Sequence, residues 1–353
     1  MNVTVHRLGR VEYLDGLDLQ AQLQQARMAG SVGDTLLLLE HPAVLTLGRA
    51  AKATNILRSP AQLQQLRVGV FETDRGGDVT YHGPGQIVGY PLLHLGPGKQ
   101  DVRKYVRGIE EVLIRALSHF GIAAVRMPQW PGVWLEQSRL GGPRKIAALG
   151  VHLSRWYTRH GFALNVRPDL THFELIVPCG IREAGVTSME AELGHPLPIA
   201  EVEDVLVRTF GQVFEAQMER AVEGPQRTVA VVVRCDDRIL ALQRTEARGG
   251  FWQPVTGRID EGESAEAAAQ RELEEETGLT IAVRPLNYVH IFAQRQTQPP
   301  KLIEETAFAV EAPVGFEPRL DPFEHQRFDW LAADDAIARF PFEGLKEAVR
   351  RSV

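Results

Sequence analysis

Four glycines and a proline fall within the twelve residues RGGDVTYHGPGQ at 75–86. An apolar run lies on each side, residues 68–73 before and 87–95 after. Glycine carries no Cβ, so such a stretch breaks regular structure and lets the backbone come close to a ligand. Arg75, Thr80, Tyr81 and His82 project from it as polar handles. A binding loop between two strands is the reading that uses all of these features. A turn-rich surface hairpin would share the composition and nothing more.

The loop sits early in a chain of 353 residues, long enough for two domains. Charge is divided unevenly along it. Residues 1–220 hold 23 Lys+Arg against 22 Asp+Glu, and residues 221–353 hold 16 against 23. The shift marks a boundary near 220, and neither part has the basic surplus of a nucleic-acid binder. Two cysteines, Cys179 and Cys235, exclude a disulfide framework. The N-terminal MNVTVHRLGR has no apolar core of a leader, and no run reaches the roughly eighteen apolar residues of a membrane span. A cytoplasmic protein without membrane or nucleic-acid partners is expected.

Before the loop, residues 3–11 alternate like a strand, residues 17–28 read as a helix ended by Gly30, and residues 35–39 form a short apolar run. After it, residues 101–120 form a helix with Val102, Val106, Ile109, Leu113, Leu117 and Phe120 on one stripe and Gly121 at its end. Residues 131–136 and 145–153 read as a hairpin with Lys145 at the mouth of its second strand, followed by a strand over 161–166. Cys179, between Pro178 and Gly180, falls in a turn and not in a periodic apolar run. A thiol there is reactive only where a nearby cation favours the thiolate, and a lysine in a low-polarity pocket can serve as its base. Strands mixed with a few long helices, the last over 200–216, predict an α/β or α+β sheet covered by helices.

RGGDVTYHGPGQIVGYPLLHL at 75–95, KIAALGV at 145–151, HGFALNV at 160–166 and PCGIREAGVTS at 178–188 together resemble the octanoyltransferase family. EHPAVLTLGR at 40–49 fits as well, and Met189 stands where leucine is common. The family has the biotin/lipoyl protein ligase fold, which the resemblance extends over residues 1–216. It implies Cys179 as the acyl-accepting nucleophile, Lys145 as the group that lowers its pKa and shuttles protons, and His82 as a further candidate base. The substrate site would be lined by Arg75, Gly76, Gly77, Asp78, Val79, Thr80, Tyr81 and His82, by Ala148, Leu149 and Gly150, and by Gly161, Phe162 and Ala163. The implied donor is octanoyl-acyl-carrier protein. The implied acceptors are lipoyl domains of 2-oxoacid dehydrogenase complexes and the glycine-cleavage H protein, with no cofactor. Such partners are acidic, and Arg103, Lys104 and Arg107 on the long helix are candidates to dock them. An ATP-dependent lipoate or biotin ligase on the same fold is the alternative.

Residues 217–226 end in Gly-Pro and read as a linker. Two strands over 227–235 and 238–244 then meet across Asp236-Asp237. Residues 264–277, rich in alanine and glutamate and stopped by Gly278, predict a helix on which Glu272, Glu275 and Glu276 share one face. Like charges so placed repel, and a hard divalent cation would convert the repulsion into binding. A solvated acidic face is the bland alternative.

The spacing Gly257-x5-Glu263-x7-Arg271-Glu272-Leu273-x-Glu275-Glu276-x-Gly278-Leu279 resembles the box of the Nudix hydrolases, over residues 227–353. This implies a Nudix αβα sandwich. Glu272, Glu275 and Glu276 would hold Mg2+ or Mn2+, and Gly257, Glu263 and Arg271 would support them. The substrate would be a nucleotide-like small molecule. GFWQPVT at 250–256 and FEHQRFDW at 323–330 are similar to the branch acting on dihydroneopterin triphosphate and dATP, which makes Glu324 a candidate ligand or base. A nucleotide-sensing module that regulates the transferase without hydrolysis is the alternative.

Overall fold

The computed structural model describes every residue except 129, 178–184, 222–223 and 295–300, and divides into two units near residue 222. The first unit runs β1 (Asn2–Arg10), α1 (Tyr13–Met28), β2 (Asp34–Glu40), β3 (Val44–Leu47), α2 (Pro60–Gln65), β4 (Gly69–Glu72), β5 (Val79–His82) and β6 (Gln86–Leu92). It continues with α3 (Val102–His119), β7 (Val125–Met127), β8 (Trp130–Leu135), β9 (Arg144–Ser154) and β10 (Tyr157–Asn165). After the undescribed segment come β11 (Gly185–Val186), α4 (Met189–Leu193), α5 (Ile199–Phe214) and β12 (Gln217–Arg220).

Among the described residues, nine strands form the main sheet in the order β12-β1-β2-β6-β10-β9-β8-β7, with β11 added to β9; β4-β3-β5 form a small second sheet. Leu36, Leu37, Leu38 and Leu39 are all buried. Apolar packing on both faces explains why β2 is an unbroken apolar run and not an alternating one. Leu36 and Leu38 share one core with Ile109, Leu113 and Leu117 of α3 and Val202, Leu206 and Phe210 of α5.

Three expectations change here. The buried stripe of α3 is Tyr105, Ile109, Val112, Leu113, Ala116 and Leu117, and Val102 is exposed. Val102 lies in the first turn, next to the Asp101 side chain that caps the helix by accepting from the Lys104 amide. Helix α1 starts at Tyr13 and not at 17. Burial of the Tyr13 ring against His41 and Phe71 outweighs the poor helix propensity of Gly16. Residues 217–220 are not linker but the edge strand β12, paired in parallel with β1 from Asn2↔Gln217 to Val5↔Arg220. Four residues are too few to display a period in the sequence.

The second unit runs β13 (Gln226–Cys235), β14 (Arg238–Arg244), β15 (Trp252–Gln253), β16 (Val255–Arg258), α6 (Ala265–Thr277), β17 (Arg284–Gln294), β18 (Lys301–Glu311), β19 (His325–Ala332), α7 (Ala333–Arg339) and α8 (Glu343–Ser352). Its sheet has the order β15-β14-β13-β18-β17, with β16 on β13 and β19 on β14. The pleat of β13 sorts its side chains. Val229, Val231 and Val233 pack with Ala268, Ala269 and Leu273 of α6. Ala230 and Val232 pack with Ala336 of α7 and Leu345, Ala348 and Val349 of α8. The unit is an αβα sandwich, and both units are mixed α/β structures.

Candidate functional site

The glycine-rich stretch is a turn, a strand and a second turn. Asp74–Asp78 turns the chain, β5 follows, and Gly83–Gly85 turns it again into β6. The first turn rests on β9, where the Gly76 amide donates to the Val151 carbonyl at 3.0 Å. A Cβ at Gly150 would lie 2.9 Å from Gly76 O and 3.0 Å from Arg75 Cδ, so glycine at 150 permits this approach. Beneath, β9 and β10 pair as Ala148↔Ala163, Leu149↔Phe162 and Gly150↔Gly161. These strands and the turn line a cavity that opens to solvent. Val79, Val88, Leu149, Phe162 and Ala163 make much of its wall apolar, while Thr80, Asp78, Gly77 and Lys145 also reach it.

Lys145 is 6% exposed, and its Nζ stands over the Trp134 ring, 4.8 Å from the centroid. Gly132 makes room for it: with φ at +115°, a Cβ there would lie 3.2 Å from Lys145 Cε and 2.7 Å from Ala147 O. Cys179 lies outside the described residues, as do Pro178 and Gly180. The chain on either side of that segment is anchored. Upstream, the Val177 amide donates to Asn55 O at 2.8 Å, and Asn55 Nδ2 donates to Asp78 Oδ2 at 2.6 Å. Downstream, Gly185 and Val186 pair with Arg144 and Lys145, and the Thr187 amide donates to Lys145 O at 2.9 Å.

A layer of buried polar rings supports the cavity. His82 Nδ1 meets Gln86 Oε1 at 2.7 Å, while Gln86 Nε2 donates to Asn165 Oδ1 at 2.9 Å and Asn165 Nδ2 donates to Thr187 O at 3.0 Å. With the Gln86 amide nitrogen used as donor, its oxygen must accept, which assigns the proton of His82 to Nδ1. Burial, and then neighbouring His41, push His82 down to about 3. The neutral ring is favoured at that pKa, and Nε2 is left as an acceptor. Burial likewise lowers His41 to about 4, its Nδ1 bonded to Val11 O and its Nε2 to the Tyr90 hydroxyl, each at 2.7 Å. His160 is lowered to about 4, chiefly by burial, and donates from Nε2 to Asp74 Oδ1 at 2.7 Å.

Two of the handles play other parts. Arg75 borders the cavity, but its guanidinium donates to Thr46 O at 2.7 Å and Thr46 Oγ1 at 2.8 Å, which makes it a strut between strands. Tyr81 turns away into the core with Leu45 and Leu63, its hydroxyl 2.8 Å from His172 Nδ1. The sequence reading also missed Tyr13, Tyr90, Pro131 and His160, which border the cavity. His160 alone carried a signal, as the first residue of the HGFALNV stretch.

In the second unit, Ser264 caps α6 by accepting from the Ala267 amide, and Gly278 closes it at φ +78°. Arg271 organises the acidic residues. Its guanidinium donates to Glu263 at 3.0 and 3.1 Å, to Glu272 at 2.7 Å, to Glu275 at 3.2 Å and to Arg258 O at 2.8 Å. Gly257 is the cradle for Glu272, since a Cβ there would fall 1.8 Å from Glu272 Cδ. Glu276 is 3% exposed, and among the described residues neither of its oxygens has a hydrogen-bond partner; the Thr256 amide approaches without completing one. Burial, then the charge of Glu272, push Glu276 well above the usual carboxylate range. Burial also raises Glu272.

The three glutamates do not converge on one point, and among the described residues no three His, Cys, Asp or Glu form a ready metal cage. The charge of Arg271 draws Glu272 and Glu275 to itself. A buried carboxylate without a donor, beside a second one, still fits a divalent cation. Glu324 is paired with Arg248 at 2.9 Å and Arg244 at 3.8 Å, and shares a cavity with Glu272. Among the described residues, no helix is long and apolar enough to cross a membrane.

Comparison with known proteins adds two matches. Residues 12–211 match the lipoyl protein ligase A/B catalytic domain, and residues 224–351 match the NUDIX domain. An octanoyltransferase of Myxococcus xanthus is 53% identical over 354 residues, covering 99% of each chain. One of Solibacter usitatus is 49% identical over 217 residues, covering 62% of this chain and 95% of its own. A crystal structure of lipoate-protein ligase A bound with ATP aligns with a TM-score of 0.50 at 16% identity, over 63% of this chain and 90% of that one, which is a likeness of fold.

Proposed function

The chain belongs to the octanoyltransferase family, with a lipoyl protein ligase A/B catalytic domain followed by a NUDIX domain, and from that premise we propose a two-step acyl transfer in residues 1–216 and a pyrophosphohydrolase in residues 227–353. In the first step Cys179 Sγ attacks the thioester of octanoyl-acyl-carrier protein. A C–S bond forms to Cys179, the carrier's C–S bond breaks, and the carrier thiol leaves with a proton. In the second step the neutral ε-amine of a lipoyl-domain lysine attacks the same carbonyl. An amide bond forms, the bond to Sγ breaks, and the surplus proton of the amine returns to sulfur.

The apolar cavity with Lys145 at its wall carries this reading. A saturated chain gains by leaving water for such a wall, at about 0.8 kcal/mol per CH2 group. Lys145 is the candidate to stabilise the thiolate and relay its proton, because the strand that follows Cys179 pairs with residues 144–145. His82, neutral and with Nε2 free of the proton, positions the substrate as an acceptor. Gly77, Asp78 and Thr80 form the rim, and Gly76, Gly150 and Gly161 allow the backbone segments to approach. Such transfer needs no cofactor and belongs to the cytoplasm. Intact mass after mixing with octanoyl-acyl-carrier protein should rise by one octanoyl group, and the rise should vanish in Cys179→Ala. Persistence of the adduct in that variant would sink the assignment.

In the second unit Glu272 and Glu276 would hold Mg2+ or Mn2+, with Glu275 on the same helical face, and the cation would neutralise phosphate oxygens at the bridge to be cleaved. Arg271 and Glu263 orient Glu272 from behind, and Arg244 and Arg248, now paired with Glu324, offer charge to the rest of a phosphate chain. Glu275→Gln combined with Glu276→Gln should abolish metal-dependent release of phosphate products from nucleotide-like substrates.

A further inference from the structure

The glycine pair at 76–77 lies between two acidic residues, Asp74 and Asp78, which different parts of the fold hold in place. Asp74 is tied to the main sheet. It accepts from His160 Nε2 at 2.7 Å and from the Arg159 guanidinium, both on β10, and His152 Nδ1 of β9 stands 3.3 Å away. Asp78 borders the cavity of the first unit, yet its carboxylate is engaged by the chain itself. Oδ1 accepts from the Val79 amide at 2.7 Å and from the Lys52 amide at 3.4 Å, and Oδ2 accepts from Asn55 Nδ2 at 2.6 Å. A carboxylate only accepts, so the amide nitrogen of Asn55 must be the atom that faces it. Hydrogen bonds to a carboxylate belong to the stronger class.

Asn55 makes a second connection through its backbone. Its carbonyl accepts from the Val177 amide at 2.8 Å, Ile56 bridges Ile176 in antiparallel fashion, and the Leu57 amide donates to Leu175 O at 2.8 Å. Residues 55–57 thus pair with residues 175–177. Ile56, Leu175 and Ile176 seat that pairing in one apolar cluster with Val79 and Tyr81 of β5. Asn55 therefore joins the glycine-rich turn, by its side chain, to the segment that leads into Cys179, by its backbone. Val177 precedes Cys179 by two residues, and a chain of two residues reaches at most about 7 Å. The other flank is longer: Thr187, whose amide donates to Lys145 O, follows Cys179 by eight residues. Each residue adds two soft dihedrals, so the shorter tether restricts the thiol more. It runs through Asn55.

We propose that Asn55 and Asp78 are positioning residues for the acyl transfer: their hydrogen bond sets the Cys179 nucleophile against the glycine-rich turn that walls the acyl cavity. The proposal rests on the acyl-transfer reading and adds to it a pair that acts through the backbone and not on the reacting atoms. The carboxylate of Asp78 is then a tether for Asn55 and not a contact for substrate. A shift of about 1 Å in a reacting atom can cost about a hundredfold in rate. A break in the pair should therefore be read in the rate of the chemical step and not in the affinity for the donor.

The test uses the full chain, octanoyl-acyl-carrier protein and rapid quenching followed by intact mass. It gives the rate constant, the amplitude and the half-saturating donor concentration of acyl-enzyme formation. Asn55→Asp sets two carboxylates face to face with no donor between them. The saturating rate constant should fall by about tenfold or more, with the half-saturating concentration unchanged within about twofold. Partial unfolding would lower the amplitude and leave the rate constant, so a loss confined to the amplitude overturns the proposal. Asp78→Asn should cost less than about threefold, because the Asn55 amide can turn over and accept from the new one. Exchange of the pair, Asn55→Asp with Asp78→Asn, again sets one carboxylate against one amide and should bring the rate constant back to within about threefold of wild type. If the exchanged pair or Asp78→Asn alone is as slow as Asn55→Asp, the carboxylate acts on substrate from position 78 and the proposal is overturned. An Asn55→Asp variant as fast as wild type overturns it as well. Absence of the adduct in wild type is a different result, which removes the acyl-transfer reading and this inference with it.

Discussion

The two cavities solve opposite electrostatic problems. Around the first, three buried histidines have partners within the chain: His82 with Gln86, His41 with Tyr90, and His160 with Asp74. Burial keeps their rings neutral. Around the second, Glu276, Glu305 and His290 are buried with polar atoms that the described residues leave unpaired. A site with its own partners suits transfer of an uncharged acyl chain. A site that lacks them suits a ligand that brings a cation of its own. Burial alone therefore does not mark function; what matters is whether the buried group has been answered within the chain.

The sharpest break in that contrast is at the one buried amine of the first cavity. Lys145→Met keeps the packing on Trp134 and removes the amine. If Lys145 relays protons, octanoyl transfer to a lipoyl domain should fall by about a thousandfold, measured as the single-turnover rate. A fall under tenfold would make Lys145 merely a wall. In the second unit the corresponding change is Gly257→Ala, whose methyl would occupy the place of the Glu272 carboxyl. Metal-dependent hydrolysis should drop by about a hundredfold, the scale for a displaced site group, while the mass-detected acyl adduct is unchanged.

Acid titration separates three buried histidines of the first unit from Glu305 of the second by sign. His41, His82 and His160 have folded pKa values near 3 to 4, below the ordinary 6.5. The unfolded chain takes up their protons first, so the stability they contribute is complete above pH 6.5 and is lost as pH falls toward 3. Glu305 goes the other way, from an ordinary 4.5 to about 7. Its contribution is complete below pH 4.5 and is lost as pH rises through 7, by about 3 kcal/mol at most. His290 and His325, both lowered to about 4 by burial, oppose it within the second unit. Scanning calorimetry of the full chain between pH 3 and 8 should therefore show Glu305→Gln gaining stability at pH 7.5 relative to wild type and not at pH 4.5. A gain of equal size at both would show that Glu305 titrates at its ordinary value.

What could be read in the sequence was local. Helix α6 followed from Ser264, Gly278 and the alanines between them, all signals within one segment. Lys145 at the head of β9 followed from the apolar run after it. The α5 span followed from its own periodicity. What could not be read depends on partners distant in the chain. The ring layer joins residues 13, 41, 82, 90 and 160, and no window of sequence contains them together. The short strands β5 and β12 are four residues each, which is too brief for an alternation to be distinguished from a turn or a linker. The link from Asp78 through Asn55 to Val177 appears only once the fold has brought the three together.

Tyr81 shows how narrow that limit is. Adjacent residues of a strand face opposite ways, and within β5 His82 and Tyr81 part in this manner. His82 borders it and Tyr81 packs on Phe173, its hydroxyl above Gly83 and bonded to His172. Tyr81→Phe removes that one hydrogen bond and leaves the ring in place. The expected effect is a loss of about 1 kcal/mol in stability, read from denaturant midpoints, with the KM for octanoyl-acyl-carrier protein unchanged within twofold. His82→Phe should do the reverse, raising KM or lowering kcat through the loss of an acceptor at the cavity. If instead Tyr81→Phe impairs transfer and leaves stability intact, the hydroxyl must reach the substrate during turnover, and β5 would have to rotate to present it.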